Sequence, residues 1–231
     1  MVFGGLQKLT LLDFPGRVAC TVFTKGCNFR CPFCHNAPLV VSCTDSPDLT
    51  HEEILAFLKK RQGILDGVCI TGGEPLLHPQ TEDFMKKVKE LGYAIKLDTN
   101  GSRPEMLKRL VEQNLVDKVA MDIKNSKAKY AATAGVENLD LSPIVESVDF
   151  LLGGSVDYEF RTTVTKDFHS AQDFEEIGLW IQGAKAYFLQ GFVDSGNLIN
   201  PDITGVDSDI IHEYLAVVRK YVSNAEIRGI E

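Results

Sequence analysis

Short apolar segments alternate with amphipathic helical patterns along almost the whole chain, and this alternation restricts the fold more than any other feature. Six segments are short, rich in Val, Ile and Phe, and apolar at most positions, which is typical of strands buried on both faces: Val18–Thr24, Gly67–Thr71, Ala94–Thr99, Lys118–Ile123, Tyr158–Val164 and Lys185–Gln190. Repeated strand–helix units predict an α/β fold with parallel strands and right-handed crossovers. Six units are too few for a closed eight-fold barrel, which leaves an open (βα)6 TIM-like partial barrel with outer helices or a flat doubly wound sheet.

The segments between these strands have the spacing of helices with one apolar face. Thr50 followed by Glu53 forms a capping-box pattern at the start of one such segment, and Ser170 followed by Asp173 opens another in the same way. A further helical pattern covers residues 210–218. In both architectures, ligands bind at the carboxyl ends of the strands, so the residues at those ends are the candidates for function.

Length and composition narrow the classes of protein to consider. A chain of 231 residues can bury a large core as one domain, and we expect a single domain over residues 1–231, with its core at about 15–190 and a loop and helix at 191–231. The formal net charge of −8 argues against nucleic acid as a partner. The sequence contains neither a run of about 18 apolar residues nor the layout of a signal peptide, so we predict a cytoplasmic protein without a membrane span.

Charge is unevenly distributed along the chain. Lys8, Arg17, Lys25 and Arg30 stand against Asp13 alone in the first 40 residues, although the chain as a whole is acidic. This local excess is either an incidental fluctuation or a field that helps to bind an anionic cofactor group or an acidic redox partner.

All six cysteines lie in the first 70 residues, and three of them form the segment Cys27-Asn-Phe-Arg-Cys31-Pro-Phe-Cys34-His35 directly after the first predicted strand. Three thiolates in one loop are soft ligands that suit an iron–sulfur cluster or zinc. Three ligands for a four-iron cluster would leave one iron open to a substrate. A zinc site of three cysteines and His35 is the alternative. We expect Cys20 and Cys69, which fall within strands, to be core residues, and we assign no role to Cys43.

Three further strands end in polar motifs. The second predicted strand runs into Gly72-Gly73-Glu74-Pro75, whose glycines allow a ligand to approach the backbone closely. The third ends in Asp98-Thr99-Asn100-Gly101 and the fourth in Asp122-Ile123-Lys124, where Asp122 and Lys124 share one side of the strand. Arg161 lies inside an otherwise apolar fifth strand and needs an anionic partner, either a ligand carboxylate or a protein carboxylate such as Glu159 or Asp122.

The cysteine segment matches CxxxCxΦC, with Phe33 as Φ, and resembles the signature of the radical S-adenosylmethionine (SAM) superfamily. Within it, Cys34-His35-Asn36, the Asp-Thr-Asn-Gly motif and the Asp-Ile-Lys motif are most similar to glycyl-radical-enzyme activases. The opening LTLLDFPGR and the segment VFTKGCNFRCPFCHN resemble activases of anaerobic ribonucleoside-triphosphate reductase. The resemblance covers roughly residues 5–190, and the last 40 residues are less diagnostic. No cysteine-rich insert separates the signature from the glycine motif, so we expect one cluster.

The resemblance implies a fold, a reaction and a set of site residues. It implies that Cys27, Cys31 and Cys34 hold a [4Fe-4S] cluster and that SAM chelates its open iron. It also implies the SAM-binding residues, which are Phe33, Cys34, His35, Gly72, Gly73, Glu74, Asp98, Asp122, Lys124 and Arg161, with a monovalent cation shared by Asp98 and Asp122. No side chain is required as an acid, base or nucleophile, because the chemistry belongs to the cofactor.

The implied reaction is the one-electron cleavage of SAM and formation of a glycyl radical on a partner enzyme. The implied partners are that glycyl radical enzyme, with anaerobic ribonucleoside-triphosphate reductase as the candidate, and a flavodoxin or ferredoxin as electron donor. Two other readings stay open. One is a radical SAM enzyme that acts on a small molecule, as 7-carboxy-7-deazaguanine synthase does, and the other is a non-catalytic zinc-binding module.

Overall fold

The computed structural model describes residues 2–42 and 48–229 and contains one eight-stranded sheet. The strands are β1 (Phe3–Thr10), β2 (Ala19–Thr24), β3 (Gly67–Gly72), β4 (Ala94–Thr99), β5 (Lys118–Asp122), β6 (Asp157–Val164), β7 (Tyr187–Gly191) and β8 (Ala225–Arg228). They lie side by side in the order of the chain. β1 is antiparallel to β2, and every later neighbouring pair is parallel.

The strand order decides between the two predicted architectures. A doubly wound sheet reverses its strand order at a switch point, so that helices cover both faces. Here the parallel strands follow one another without reversal, and right-handed crossovers that all proceed in one direction place the helices on one face. The fold is therefore the predicted open partial barrel with outer helices, and β1 and β8 form its two edges.

All six predicted strands are present as β2–β7, whereas both edge strands were missed. β1 (FGGLQKLT) has glycines at its second and third positions and is exposed at Gln7, Lys8 and Leu9, so it has neither the apolar composition nor the alternation of a strand. β8 is four residues long, and only Ala225 in it is fully buried. Short, partly exposed edge strands give a weak sequence signal because they bury little.

The helices are α1 (Ala37–Val40), α2 (His51–Lys60), α3 (Thr81–Glu90), α4 (Pro104–Glu112), α5 (Tyr130–Ala134), α6 (Ser142–Leu152), α7 (Ala171–Trp180) and α8 (Ser208–Val218). Both predicted capping boxes are present: Thr50 caps α2 with Glu53, and Ser170 caps α7 with Asp173. The short helices α1 and α5 were not predicted, because four or five residues are too few to show a helical period. No helix in these ranges is long and apolar enough to cross a membrane.

The two faces of the sheet differ in chemistry. On β4, Ile95 and Leu97 belong to the apolar core, whereas Lys96 and Asp98 point to the opposite face and form an ion pair. Neighbouring strands continue both faces in register, with Asp98 beside Ala120 and Asp122 beside Arg161. The helices cover the apolar face, and the other face brings charged side chains together at the carboxyl ends of the strands.

Candidate active site

One cavity at the carboxyl ends of the parallel strands contains every residue predicted from the sequence to bind the cluster or SAM. The cysteine loop after β2 forms one wall, and the ends of β3, β4, β5 and β6 supply the rest. The predicted residues that line it are Cys27, Cys31, Phe33, Cys34, His35, Gly72, Gly73, Glu74, Asp98, Asp122, Lys124 and Arg161. Residues far apart in the chain therefore meet around one space.

Backbone hydrogen bonds on both sides hold the start of the cysteine loop. The Gly26 amide donates to the Leu39 carbonyl of α1 at 2.8 Å, and the Gly26 carbonyl accepts from the Glu74 amide at 2.8 Å. Gly73 lies so close that a Cβ on it would be 1.9 Å from the Gly26 oxygen. The absence of a side chain at Gly73 thus lets the Gly72-Gly73-Glu74-Pro75 segment pack directly on the cysteine loop.

The middle of the cysteine loop rests on α5 and on the loop after β7. The Arg30 amide donates to the Ala134 carbonyl at 2.9 Å. Gly135, with a φ of +65°, ends α5, and a Cβ there would lie 2.1 Å from the Arg30 oxygen. The Asn200 amide donates to the Pro32 carbonyl at 2.9 Å. The unpredicted helix α5 and residues of the 191–205 loop therefore support the candidate metal ligands.

The three thiols of the loop have the surroundings of buried ligands. Burial raises the pKa of Cys27 to about 12 and that of Cys31 to about 11, and it also raises the pKa of Cys34. The Phe29 amide donates to the Cys27 sulfur at 3.3 Å, and the Lys124 ammonium favours the thiolate form of all three. Because thiolates bind soft metals, occupation of this site would release protons. Three convergent thiols with hydrogen-bond donors at sulfur fit an iron–sulfur cluster.

The alternative zinc site of three cysteines and His35 gains no support. Over residues 2–42 and 48–229, no group of three or more His, Cys, Asp or Glu side chains is arranged to hold a single metal ion, as zinc would require. The cysteines of a four-iron cluster each bind a different iron, so this observation does not test the cluster. The His35 ring instead faces the ring of Phe192, with 5.7 Å between their centroids. His35 therefore borders the cavity from the side of the loop after β7.

A chain of alternating charges crosses the floor of the cavity. Arg161 lies between two carboxylates: one Nη donates to Asp98 at 3.1 Å, and the other donates to Asp122 at 2.9 Å. Lys96 pairs with the far side of Asp98, and Lys124 pairs with Asp122 at 2.9 Å. Three cations thus share two carboxylates. Of these cations, Lys124 and Arg161 line the cavity, and they are the groups that an anionic ligand could contact.

Burial alone would raise the pKa values of both aspartates, but their cationic neighbours outweigh it. Lys124 and Arg161 hold the pKa of Asp122 at about 2, and Arg161 and Lys96 keep that of Asp98 below its usual value. Asp122 conversely raises the pKa of Lys124 despite its burial. Asp98, Asp122, Lys124 and Arg161 are therefore charged at neutral pH, which gives the floor a fixed electrostatic pattern.

Arg161 pairs with two carboxylates, of which the sequence predicted one. Asp122 was one of the protein carboxylates considered for it, and Asp98 was not. Glu159 instead pairs with Arg228 of β8 at 3.0 Å. The guanidinium lies between Asp98 and Asp122, the pair that was expected to share a monovalent cation.

Lys96 was missed, although it carried a signal. It is a lysine within the apolar strand sequence AIKLDT, two residues before Asp98 and hence on the same face. Its exposure is 1%, and such burial of a lysine requires a paired carboxylate.

Glu74 differs from the other residues predicted to bind SAM, because its carboxylate is hydrogen-bonded to the protein. Its carboxylate accepts hydrogen bonds from the Leu76 amide at 3.0 Å, the Thr99 hydroxyl at 2.8 Å and the Asn100 amide at 2.7 Å. Burial raises its pKa to about 7, against the effect of these donors. The side chain thus ties the end of β3 to the end of β4, and its oxygens are engaged by the protein.

The remaining cysteines separate into different environments. Cys20 is buried in the apolar core, as predicted. Cys69 is also buried, but its thiol faces the polar side of the sheet, 3.7 Å from Asp98. Cys43 lies outside the described residues.

The basic residues of the first 40 positions do not form one surface. Lys25 pairs with Asp48 at 2.6 Å near the cysteine loop. Arg17 lies over the ring of Phe14, which packs on Ala19 and Ala94 at the amino ends of β2 and β4. Because Lys25 and Arg17 lie at opposite ends of the strands, these two residues do not share a surface, whereas Arg30 lies in the cysteine loop and favours the thiolate form of Cys34.

The sequence and the fold of this chain were compared with those of known proteins. The sequence profile of the Radical SAM superfamily matches residues 21–166. A glycyl-radical enzyme activating enzyme of Methanocaldococcus jannaschii is 28% identical over 236 residues, covering 98% of this chain and 95% of the relative. The pyruvate formate-lyase-activating enzyme of Clostridium pasteurianum is 35% identical over 137 residues, covering 54% of each chain.

Solved structures agree at the level of the fold. A domain of pyruvate-formate lyase-activating enzyme from Bacteroides vulgatus has a TM-score of 0.58 and 18% identity, and the match covers 71% of this chain and 99% of that domain. Streptococcus suis SuiB bound to S-adenosylmethionine has a TM-score of 0.69 and 13% identity over 90% of this chain and 49% of SuiB. The predicted resemblance to activases is confirmed by the named relatives, and the profile match shows that this chain is an enzyme of the radical SAM superfamily.

Proposed function

We propose that this protein cleaves SAM at a [4Fe-4S] cluster held by Cys27, Cys31 and Cys34 and generates a glycyl radical on a partner enzyme. The observation that carries the proposal is the cavity, in which the thiols of Cys27, Cys31 and Cys34 share one space with the cationic side chains of Lys124 and Arg161. Similarity to a relative named as an activating enzyme extends over 98% of the chain, which supports activation in particular.

The cluster with SAM on its open iron would supply a 5′-deoxyadenosyl radical, which removes a hydrogen atom from a glycine. The chain's own residues bind and orient. The cationic side chains of Arg161 and Lys124 favour the SAM carboxylate, and the Phe33–His35 backbone would border the adenine. Gly72 and Gly73 would border the methionine portion while their backbone packs on β2 and on the cysteine loop, and Glu74 holds their segment in place.

The predicted monovalent cation is not part of this proposal. The space between Asp98 and Asp122 is bridged by the Arg161 guanidinium, which satisfies both carboxylates. A cation there would have to displace that bridge. In this chain, Arg161 supplies the positive charge that such a cation would supply.

A small-molecule substrate is the second candidate function, because one curated relative points to it. The 7-carboxy-7-deazaguanine synthase of Koribacter versatilis is 29% identical over 143 residues, covering 61% of this chain and 58% of the relative. We favour the activase because its named relatives include matches over 98% and 96% of the chain. Anaerobic ribonucleoside-triphosphate reductase is our candidate partner, on the sequence resemblance of residues 9–17 and 22–36.

A low-potential one-electron donor completes the proposal. We propose a flavodoxin or ferredoxin, and a reducing cytoplasm that keeps the three thiols free to bind iron. The donor is not expected to use the basic residues of the first 40 positions as a joint surface, since Arg17 and Lys25 lie at opposite ends of the strands.

The test is formation of a glycyl radical by the cluster-loaded protein. Anaerobically reconstituted protein, SAM and a reductant are mixed with anaerobic ribonucleoside-triphosphate reductase, and electron paramagnetic resonance is recorded. A glycyl doublet that requires SAM supports the proposal. SAM cleavage without a doublet on this reductase or on other encoded glycyl radical enzymes, together with turnover of a deazaguanine precursor, would favour the second candidate.

A further inference from the structure

The segment Asp122–Lys124 is supported from outside the cavity by buried side chains that do not line it. Each of its three consecutive carbonyls accepts a hydrogen bond from a side chain later in the sequence. The donors come from α5, from β6 and from the turn before α7, and they are Tyr130, Thr162 and His169. Their exposures are 1%, 1% and 5%. These three hydrogen bonds add to those of the sheet, in which strand backbones supply the donors.

The geometry fixes which ring nitrogen of His169 carries the proton. The Lys124 carbonyl can only accept, so the ring nitrogen beside it must carry a hydrogen. Nδ1 lies 3.2 Å from the Thr165 amide and 3.3 Å from the Thr165 carbonyl and hydroxyl, and in a neutral ring it accepts from the amide. Nε2 therefore carries the hydrogen and donates to the Lys124 carbonyl at 2.9 Å. The ring also packs on Phe174, with 5.6 Å between the centroids. Burial lowers the pKa of His169, which agrees with the neutral form.

Lys124 needs this support because it lies just beyond the end of β5. Its carbonyl has no strand neighbour and would be unsatisfied in the interior without His169. Its flexible side chain reaches Asp122, and its charge acts on the thiols of Cys27, Cys31 and Cys34. A shift of the Lys124 backbone would therefore move the ammonium relative to both the carboxylate chain and the cluster ligands.

We propose that His169, in its Nε2-protonated form, and Tyr130 are positioning residues that set the location of Asp122 and Lys124 for SAM binding. This inference rests on the proposed use of those two residues at the SAM site. It assigns a role to side chains outside the cavity, and it predicts that the affinity for SAM depends on one N–H group and one O–H group behind β5.

Two substitutions of His169 distinguish the loss of the hydrogen-bond donor from the loss of the ring. In His169→Gln, the amide nitrogen can reach the place of Nε2 and donate to Lys124. In His169→Asn, the shorter amide ends near the place of Nδ1 and cannot. Both variants lose the ring packing on Phe174. Asn can still accept from the Thr165 amide near the place of Nδ1 and Gln cannot, so weaker SAM binding in the Asn variant is assigned to the missing donor.

The measurement is the dissociation constant of SAM for cluster-loaded protein, with iron content and melting temperature determined in parallel. We expect His169→Asn to bind SAM about tenfold more weakly than the wild type and His169→Gln to stay within about threefold, because one hydrogen bond separates them. Equal affinities in the two variants would overturn the role of His169.

A tyrosine pair keeps the inference testable if the histidine variants fold poorly. Tyr130→Phe removes the hydroxyl that donates to the Asp122 carbonyl at 3.2 Å. Tyr93→Phe removes a hydroxyl that donates to the Leu58 carbonyl at 2.7 Å, away from the site. We expect SAM binding to weaken about threefold to tenfold in Tyr130→Phe only, and the same affinity in both would contradict the proposal.

The result is separable from the test of function. SAM binding is measured without a partner enzyme, whereas the proposed function is tested by the glycyl doublet. A difference between the Asn and Gln variants without any doublet would leave this inference intact and refute glycyl activation. A doublet with no such difference would refute only the inference, and wild-type protein that fails to bind SAM would refute both.

Discussion

The cysteine loop and the charged floor face each other across the same cavity, but they are built in opposite ways. The loop takes its three thiols from eight consecutive residues, Cys27 to Cys34, and backbone hydrogen bonds hold it. The floor takes its five charges from β4, the end of β5 and β6, and ion pairs hold it. One half of the site is thus local in sequence, and the other exists only when the strands are in register.

This difference separates the consequences of substitution. A ligand of the loop has no substitute, because a missing thiolate removes a metal bond. A charge of the floor has neighbours that still compensate its partner, since Asp98 keeps Lys96 and Asp122 keeps Lys124 when Arg161 is lost. We therefore expect all-or-none effects in the loop and graded effects in the floor.

The largest effect is expected for a cysteine of the loop. Cys31→Ala removes one cluster ligand, so iron and sulfide should not be retained after reconstitution and SAM cleavage should fall to background. Cys20→Ala is the control, because Cys20 is equally buried but lies in the apolar core. Retained SAM cleavage in Cys31→Ala would contradict the ligand assignment.

A smaller effect is expected in the floor. Arg161→Met removes the bridge between Asp98 and Asp122, and we expect a loss of about 2–4 kcal/mol in stability together with weaker SAM binding. The control is Arg228→Met, which breaks a similar pair with Glu159 farther along the sheet. Denaturant unfolding and SAM titration check both. If Arg228→Met weakened SAM binding as much as Arg161→Met, the floor would not be the specific contact.

The support of the loop can be weakened without touching a ligand. In Gly135→Ala, the added Cβ would meet the Arg30 oxygen at 2.1 Å, and we expect a loss of about 1–3 kcal/mol and poorer iron retention. Gly183→Ala is matched, since Gly183 has a φ of +81° but nothing within 4 Å of its Cβ position. It should suffer only the backbone strain. Thermal melts and iron assays compare the two, and equal iron retention would show that α5 does not support the loop.

The last effect is a dependence of stability on pH at Glu74, and it needs no substitution to appear. Its pKa is raised by burial from 4.5 to about 7 in the folded protein. The folded state therefore binds more protons than the unfolded state between these values, and this group's contribution to stability falls as pH rises from about 4.5 to 7.

The comparison that isolates this contribution is Glu74→Gln. The variant cannot titrate at this position, so the difference in unfolding free energy between wild type and variant should shrink or reverse as pH rises through that window. Unfolding of the metal-free proteins in urea at several pH values measures it. A difference that does not change with pH would show that Glu74 stays ionised throughout.

The sequence predicted the elements that are buried on a regular period. The six central strands and the two capping boxes all formed, since burial on both faces and a cap leave local patterns. The edge strands β1 and β8 and the short helices α1 and α5 left none. Among these, α5 matters for function, because its end contacts the Arg30 carbonyl behind the cysteine loop.

By itself the sequence determined which side chains could do chemistry, because cysteine spacing and the motifs at strand ends are properties of neighbouring residues. Only the tertiary structure decided what those side chains contact. It placed Arg161 between two aspartates, buried Lys96 beneath Asp98 and engaged Glu74 with the ends of two strands. The reason is physical: a charge in the interior is stable only beside its partner, and register and crossover direction bring partners from distant strands together.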